Sequence, residues 1–385
     1  MNMSRFWLTA VCGLPLVLFA CSAPQTTATE PAFKTDPLAP TPRIQIEWRE
    51  NVDTASVGEY RARQYASPTI HRTADRRELI VGTQSGRVSR YRASDGRKRW
   101  ERKLDGPVHA SPTATSKRVY VATLYGTLYA IDRKTGNVDW KVENDREIES
   151  PAAVADGLVF YTTNAGRLVA IDESSGEETW TYSRSIPKEF TVKGSGTPVT
   201  AGHAVYCGFA DGTVVSLDTR TGAENWTTNV AGSETEYTDV DGPVVIRQNR
   251  VYVTSYGAGV SALERKTGEA IWSRSFSNVS STAYAEGTIY LTMATGRVVA
   301  ISARDGSGIW GVRLDEHLPV DVSAVSSYLF VSTGSGPLYV LDRSTGYPLT
   351  RWKASTGVNT AVKFSERAGY FLSNKGFLYS FRLAF

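Results

Sequence analysis

The side chains able to do chemistry in this sequence are few and scattered. Its four histidines, His71, His109, His203 and His317, stand far apart, and none has a second ligand at a metal-binding interval such as H-x-x-x-H. Neither a zinc site nor a paired histidine base is indicated. Cys207 lies in Ala204-Val205-Tyr206-Cys207-Gly208, a strand-like run with no basic neighbour to favour a thiolate. It reads as a small buried hydrophobe rather than a nucleophile. Asp132, Asp172, Asp218 and Asp342 each precede Thr-Gly or Ser-Gly by three residues. That is turn chemistry, with the carboxylate accepting backbone N–H groups and Gly taking a left-handed conformation. No G-x-S-x-G elbow or phosphate-binding loop is present. The basic cluster Arg97-Lys98-Arg99 with Arg102-Lys103 flanks Trp100. Two readings fit it, a solvated strand face or a contact for anionic lipid headgroups or an acidic partner.

Composition adds exclusions. The 385 residues carry a net charge of +4, too weak and dispersed for nucleic acid. With 33 Gly, 19 Tyr and 9 Trp but only 3 Met, the balance leans to β structure. The N-terminus has a short head with Arg5 and an apolar run from Phe6 to Ala20, too short for a membrane span but long enough for a signal-peptide core. The run ends in Leu18-Phe19-Ala20-Cys21, similar to a bacterial lipobox. The expectation is a signal peptide over 1–20 and a diacylated Cys21, an anchor strong enough to hold the chain at a membrane; ordinary secretory cleavage nearby is the alternative. Ser22 in place of Asp implies, by the lipoprotein sorting rule, the outer membrane of a Gram-negative bacterium, with the chain on its periplasmic face. Residues 21–43, rich in Pro, Thr and Ala, read as the lipidated cysteine and an extended tether. A single remaining thiol, Cys207, leaves no intramolecular disulfide framework.

What must position any site is a repeat. Its fullest form runs Ser111-Pro112-Thr113, Arg118-Val119-Tyr120-Val121-Ala122-Thr123, Gly126-Thr127-Leu128-Tyr129-Ala130-Ile131-Asp132, Thr135-Gly136 and Trp140. From Trp100 to Trp352 the repeated tryptophans stand 40, 40, 46, 46, 38 and 42 residues apart. Short strands with Gly turns at that period mark propeller blades. The last copy ends without a Trp, and Ile44-Gln45-Ile46-Glu47-Trp48 at the other end supplies the missing strand. The chain is therefore expected to be all-β over 44–385: an eight-bladed β-propeller with four antiparallel strands per blade. The strand carrying Trp48 closes the last blade and removes a sheet edge. Each Trp is expected to cap its outer strand against the next blade. Two separate β-sandwiches are the competing architecture, but would not carry one phrase from end to end.

Binding on such a scaffold belongs to connections that break the repeat. From Trp100 to Pro112 and from Trp140 to Pro151, each a Trp to the Pro opening the next blade, the gaps are 12 and 11 residues. Trp180 to Pro198 and Trp226 to Pro243 span 18 and 17, and Trp48 to Pro68 spans 20. The consecutive loops 181–197 and 227–242 are expected side by side on one face. In the first, Phe190 and Val192 share one side of an extended segment beside Lys193; the second, with Tyr237, Asp239 and Asp241, is acidic. An apolar anchor rimmed by both charges suits an interface, although Phe190 and Val192 packing beneath the loop would also account for the pattern.

The A-I-D-x-x-T-G-x-x-x-W phrase resembles the quinoprotein-type (PQQ-like) propellers. With the lipobox and eight blades, residues 21–385 resemble the BamB family, lipoproteins of the outer-membrane β-barrel assembly machinery (BAM complex). The specific parts are Phe190-Thr191-Val192-Lys193-Gly194 and Thr238-Asp239-Val240-Asp241-Gly242-Pro243-Val244-Val245. The resemblance implies a non-enzymatic scaffold without cofactor or metal. Phe190, Val192, Lys193, Asp239 and Asp241 would contact the POTRA domains of BamA, in a complex that handles unfolded outer-membrane proteins. This chain has Phe, Val and Lys where the family usually has Leu and Arg, and Lys lacks the bidentate fork of Arg. The alternative is a quinone-dependent dehydrogenase, but such enzymes are much longer and carry calcium ligands and an adjacent-cysteine disulfide that this sequence cannot form.

Overall fold

The computed structural model describes residues 41–53, 63–73, 76–184, 196–231, 239–240, 242, 244–314, 317–354 and 356–385. The signal segment, Cys21 and nearly all of the tether lie outside them, as do Phe190, Val192, Lys193 and Asp241. The described strands form eight four-stranded antiparallel sheets, each a blade with strands A to D from the centre outward. In chain order blades 1 to 7 span 69–103, 113–143, 153–183, 199–229, 245–274, 279–313 and 319–352. Blade 8 takes Lys363–Ser365, Ala368–Leu372 and Phe377–Ala384 from the C-terminus and Arg43–Asn51 as its D strand. The closure expected from Trp48 is thus observed.

Strands B and C read as unbroken apolar runs because sheets cover both of their faces; Leu158–Thr163 is buried throughout. The core is divided accordingly. Tyr120, Leu128 and Ala130 of blade 2 pack on Val159, Tyr161 and Ile171 of blade 3, and comparable clusters fill the other clefts. Each cleft is bounded by two neighbours, so stability is built unit by unit around the ring.

The repeated phrase works across blades. Asp132 Oδ1 accepts the Thr135 N–H at 2.7 Å, and Gly136 sits at φ 75°. Seven of the eight blade tryptophans donate their indole N–H to the C–D turn of the following blade, at 2.9–3.3 Å. Trp140, for instance, reaches Glu173 O at 3.1 Å. Each of these rings lies against the Gly of that turn. Trp352 is the exception for a topological reason: strands C and D of blade 8 come from opposite chain ends, so no C–D turn exists there. Its ring stacks edge-on against Phe371 and Tyr379 at 5.3 and 5.0 Å.

Candidate functional site

Antiparallel order puts the D-to-A connections and B–C turns on one face, and the A–B and C–D turns on the other. The two long loops run from strand Glu178–Ser183 to strand Val199–Ala201 and from Glu224–Asn229 to Val245–Arg247, so both emerge on the first face. Their ends are fastened together. Gly196 N donates to Gly208 O at 2.9 Å and Val240 N to Phe209 O at 3.1 Å, so adjacent residues of one strand end hold both loops. A Cβ on Gly196 would stand 2.8 Å from Val240 O; only glycine permits this approach. Where the first loop leaves its blade, Arg184 Nε pairs with Asp211 Oδ2 of blade 4 at 2.9 Å.

Of the five expected contact residues, Asp239 alone is described, and it is 1% exposed. Its carbonyl accepts Tyr256 N–H at 3.3 Å, and adjoining Val240 is fully buried. Asp239 therefore stands at the root of its loop, not on the surface of the chain. The same face carries exposed aromatic groups that spacing did not single out. Tyr65, 46% exposed, meets His109 edge-on at 4.4 Å, and Tyr125 is 68% exposed beside Gly106. Tyr65 belongs to the 20-residue Trp48–Pro68 gap, which was the available signal.

Residues considered for chemistry stay apart. Cys207 is fully buried, its Sγ 3.6 Å from Gly196 O, and burial pushes its thiol pKa well up. His203 Nδ1 meets Asp156 Oδ2 at 3.0 Å, but the same oxygen takes the Thr219 hydroxyl at 2.5 Å, leaving the hydroxyl paired to the acid and not to the imidazole. His71 is held below its ordinary pKa by burial and by the nearby Arg133 and Arg90, which pair with buried Glu78. Asp172 is held down to about 2 by the Ser174 hydroxyl and by the N–H groups of Ser175 and Ser174. Among the described residues no three His, Cys, Asp or Glu side chains converge as a metal would require. The basic cluster is divided: Arg102 bonds Gly136 O and Asn137, Lys103 bonds Ser85 O, Lys98 pairs with Glu101, and Arg99 turns to a cavity on the second face.

Comparison with known proteins decides the lineage. A family model described as outer membrane protein assembly factor BamB matches residues 45–149, 115–312 and 294–382, which together run through every blade. The chain belongs to the BamB family. No curated protein sequence matches it significantly. Among solved structures, BamB from Moraxella catarrhalis superposes with a TM-score of 0.77 at 22% identity, covering 88% of this chain and 100% of that one. Quinohemoprotein alcohol dehydrogenase from Pseudomonas putida HK5 gives 0.73 at 13%, covering 88% and 76%. The computationally designed Ika8 protein gives 0.67 at 15%, covering 83% and 97%. At such identities these likenesses establish the shared propeller. The three cysteines of this chain, at 12, 21 and 207, include no adjacent pair.

Proposed function

We propose that this protein is a non-enzymatic scaffold of the outer-membrane β-barrel assembly machinery, anchored through lipidated Cys21 to the periplasmic face of the outer membrane. It would bind the POTRA domains of BamA and assist the folding and insertion of outer-membrane proteins. The observation that carries the reading is the BamB-family match along 45–382. The two fastened loops are the natural contact, with Phe190, Val192 and Lys193 on one and Asp241 on the other. Asp239 supports its loop from below.

Rigid blades suit such a role. A scaffold that presents its partner with a preformed frame loses less conformational freedom on binding. Capture of BamA by the full chain, by Val192→Glu and by Asp241→Arg tests this. Loss in both variants, with unchanged melting, supports the loop face. Retention in both refutes the face, and failure of the unaltered chain to capture BamA refutes the function. Calcium-dependent dye reduction after adding quinone would favour the enzymatic reading instead.

A further inference from the structure

Blade 1 departs from its seven sisters on the face away from the long loops. Blades 2 to 8 join strands A and B by two-residue turns, as in Ala155↔Leu158 or Ala285↔Thr288. Blade 1 extends this hairpin to the pair Arg72↔Arg77, with Thr73 N donating to Arg76 O at 2.9 Å beyond it. The four extra residues show in the spacing: 32 residues separate Pro68 from Trp100, against 28 from Pro112 to Trp140. A second departure adjoins the first. Arg92 occupies the position where other blades place the turn-capping carboxylates Asp132, Asp172, Asp218, Glu264 and Asp342. Asp95 Oδ1 takes over the capping, accepting Arg97 N–H at 3.1 Å.

Together these changes place one arginine at the end of each strand of the blade: Arg72 on A, Arg77 on B, Arg92 on C and Arg99 on D. With Arg76 they line a cavity of about 760 Å³ that reaches across to Glu366 of blade 8. Like charges directly opposite on paired strands repel, so the pair Arg72↔Arg77 is costly unless something neutralises it. The protein does so only in part. Arg77 pairs with Glu366, and Arg92 with Asp95 at 3.0 Å. No carboxylate among the described residues pairs with Arg72, Arg76 or Arg99. The buried Nε of Arg92 has no hydrogen-bond partner among the described residues. The floor offers few acceptors, since the Ala93 carbonyl is already taken by Trp48 at 3.1 Å and Tyr370 at 3.3 Å. Set against Glu366 and Asp95, the five arginines leave an excess of positive charge.

We propose that this cavity, at the junction of blades 8 and 1, binds a phosphate-bearing ligand. A phosphate monoester presents three acceptor oxygens and close to two negative charges, complementing that excess. Guanidinium forks converging from different strands suit it better than one planar carboxylate. The volume is that of a small-molecule or headgroup site.

The test uses the full chain carrying Cys21→Ser, so that acylation offers no route to membranes. Calorimetric titration with pyrophosphate at low salt should show saturable binding. It should weaken about tenfold or more in Arg92→Asp, which restores the residue other blades use, and in Arg72→Gln/Arg77→Gln, with melting temperatures unchanged. Sedimentation with vesicles containing phosphatidic acid, whose headgroup is a phosphate monoester, against phosphatidylcholine alone, separates the sources. Arg92-dependent pelleting identifies a phospholipid headgroup, whereas pyrophosphate binding without pelleting identifies a soluble phosphate ester. The proposal is overturned if pyrophosphate fails to bind, if all variants bind it equally, or if a poly-glutamate peptide binds where pyrophosphate does not.

Discussion

Gly176 allows the cross-blade lock to be measured piece by piece. Its φ of 79° is one that L side chains rarely adopt, and a Cβ there would lie 2.9 Å from Cδ2 and 3.0 Å from Cε3 of Trp140. Gly157 has nearly the same φ, 77°, with nothing within 4 Å of its would-be Cβ. Gly157→Ala should therefore cost only the backbone penalty, about 1–2 kcal/mol. Gly176→Ala should cost that plus about 1–3 kcal/mol for forcing a methyl group into a packed ring. Trp140→Ala removes the ring and its 3.1 Å bond to Glu173 O, an effect of about 3–5 kcal/mol. In the double variant Gly176→Ala/Trp140→Ala the steric part vanishes, so the pair should be less destabilised than the sum of its singles by about 1–3 kcal/mol. Urea unfolding midpoints at constant slope report these differences. If Gly176→Ala costs no more than Gly157→Ala, or if the cycle is additive, the repeated geometry of Trp against turn glycine is not what holds neighbouring blades together.

Three further outcomes follow from the described residues. Cys207 should resist iodoacetamide at pH 8 in the native protein and react after unfolding, because burial disfavours its thiolate; rapid native labelling would contradict the packing. The Asp172 carboxyl is held at about 2, below its ordinary 3.8, first by the Ser174 hydroxyl and then by backbone N–H groups. Its contribution to stability is complete above pH 3.8 and is lost as pH falls towards 2, so Asp172→Asn should flatten unfolding midpoints across that window. Asp239→Arg should destabilise the fold by more than about 2 kcal/mol, since a longer cation replaces a carboxylate that is 1% exposed; a variant with unaltered melting would place Asp239 at the surface after all.

Blade number and closure were legible because they rest on interactions that repeat. A Trp needs a turn carbonyl and a bare glycine one blade on, so the phrase must recur, and its omission after Tyr379 pointed to Trp48. The candidate loops were legible only as lengths. Whether a charged residue near a loop root faces water depends on backbone bonds such as Val240 to Phe209, which sequence does not display, so the 1% exposure of Asp239 could not be read from it. The extended hairpin of blade 1 was missed because the Trp48–Trp100 interval also contains a long loop, and the four extra residues disappeared into it. Pro-to-Trp spacing within the blade would have exposed them. Arg92 stands where other blades carry a carboxylate, and that reversal beside Arg72, Arg76, Arg77 and Arg99 changes what the surface can bind.

The topology separates the two candidate surfaces. D-to-A loops and C–D turns lie at opposite ends of every strand, and a B or C strand of about six residues at roughly 3.4 Å each sets them some 20 Å apart through a packed core. Among the described residues the strands joining them are continuous and their apolar faces are filled. Coupling of sites requires an element with two arrangements to switch between. Asp241→Arg should therefore leave pyrophosphate binding as it is, and Arg92→Asp should leave BamA capture as it is. A chain carrying both substitutions should show the two losses independently, within about 0.5 kcal/mol of additivity. Pyrophosphate that strengthens or weakens BamA capture by the unaltered chain would refute the rigid partition. It would mean that the junction of blades 8 and 1, the one place where the ring is closed by strands from opposite ends of the chain, yields enough to carry a signal from one face to the other.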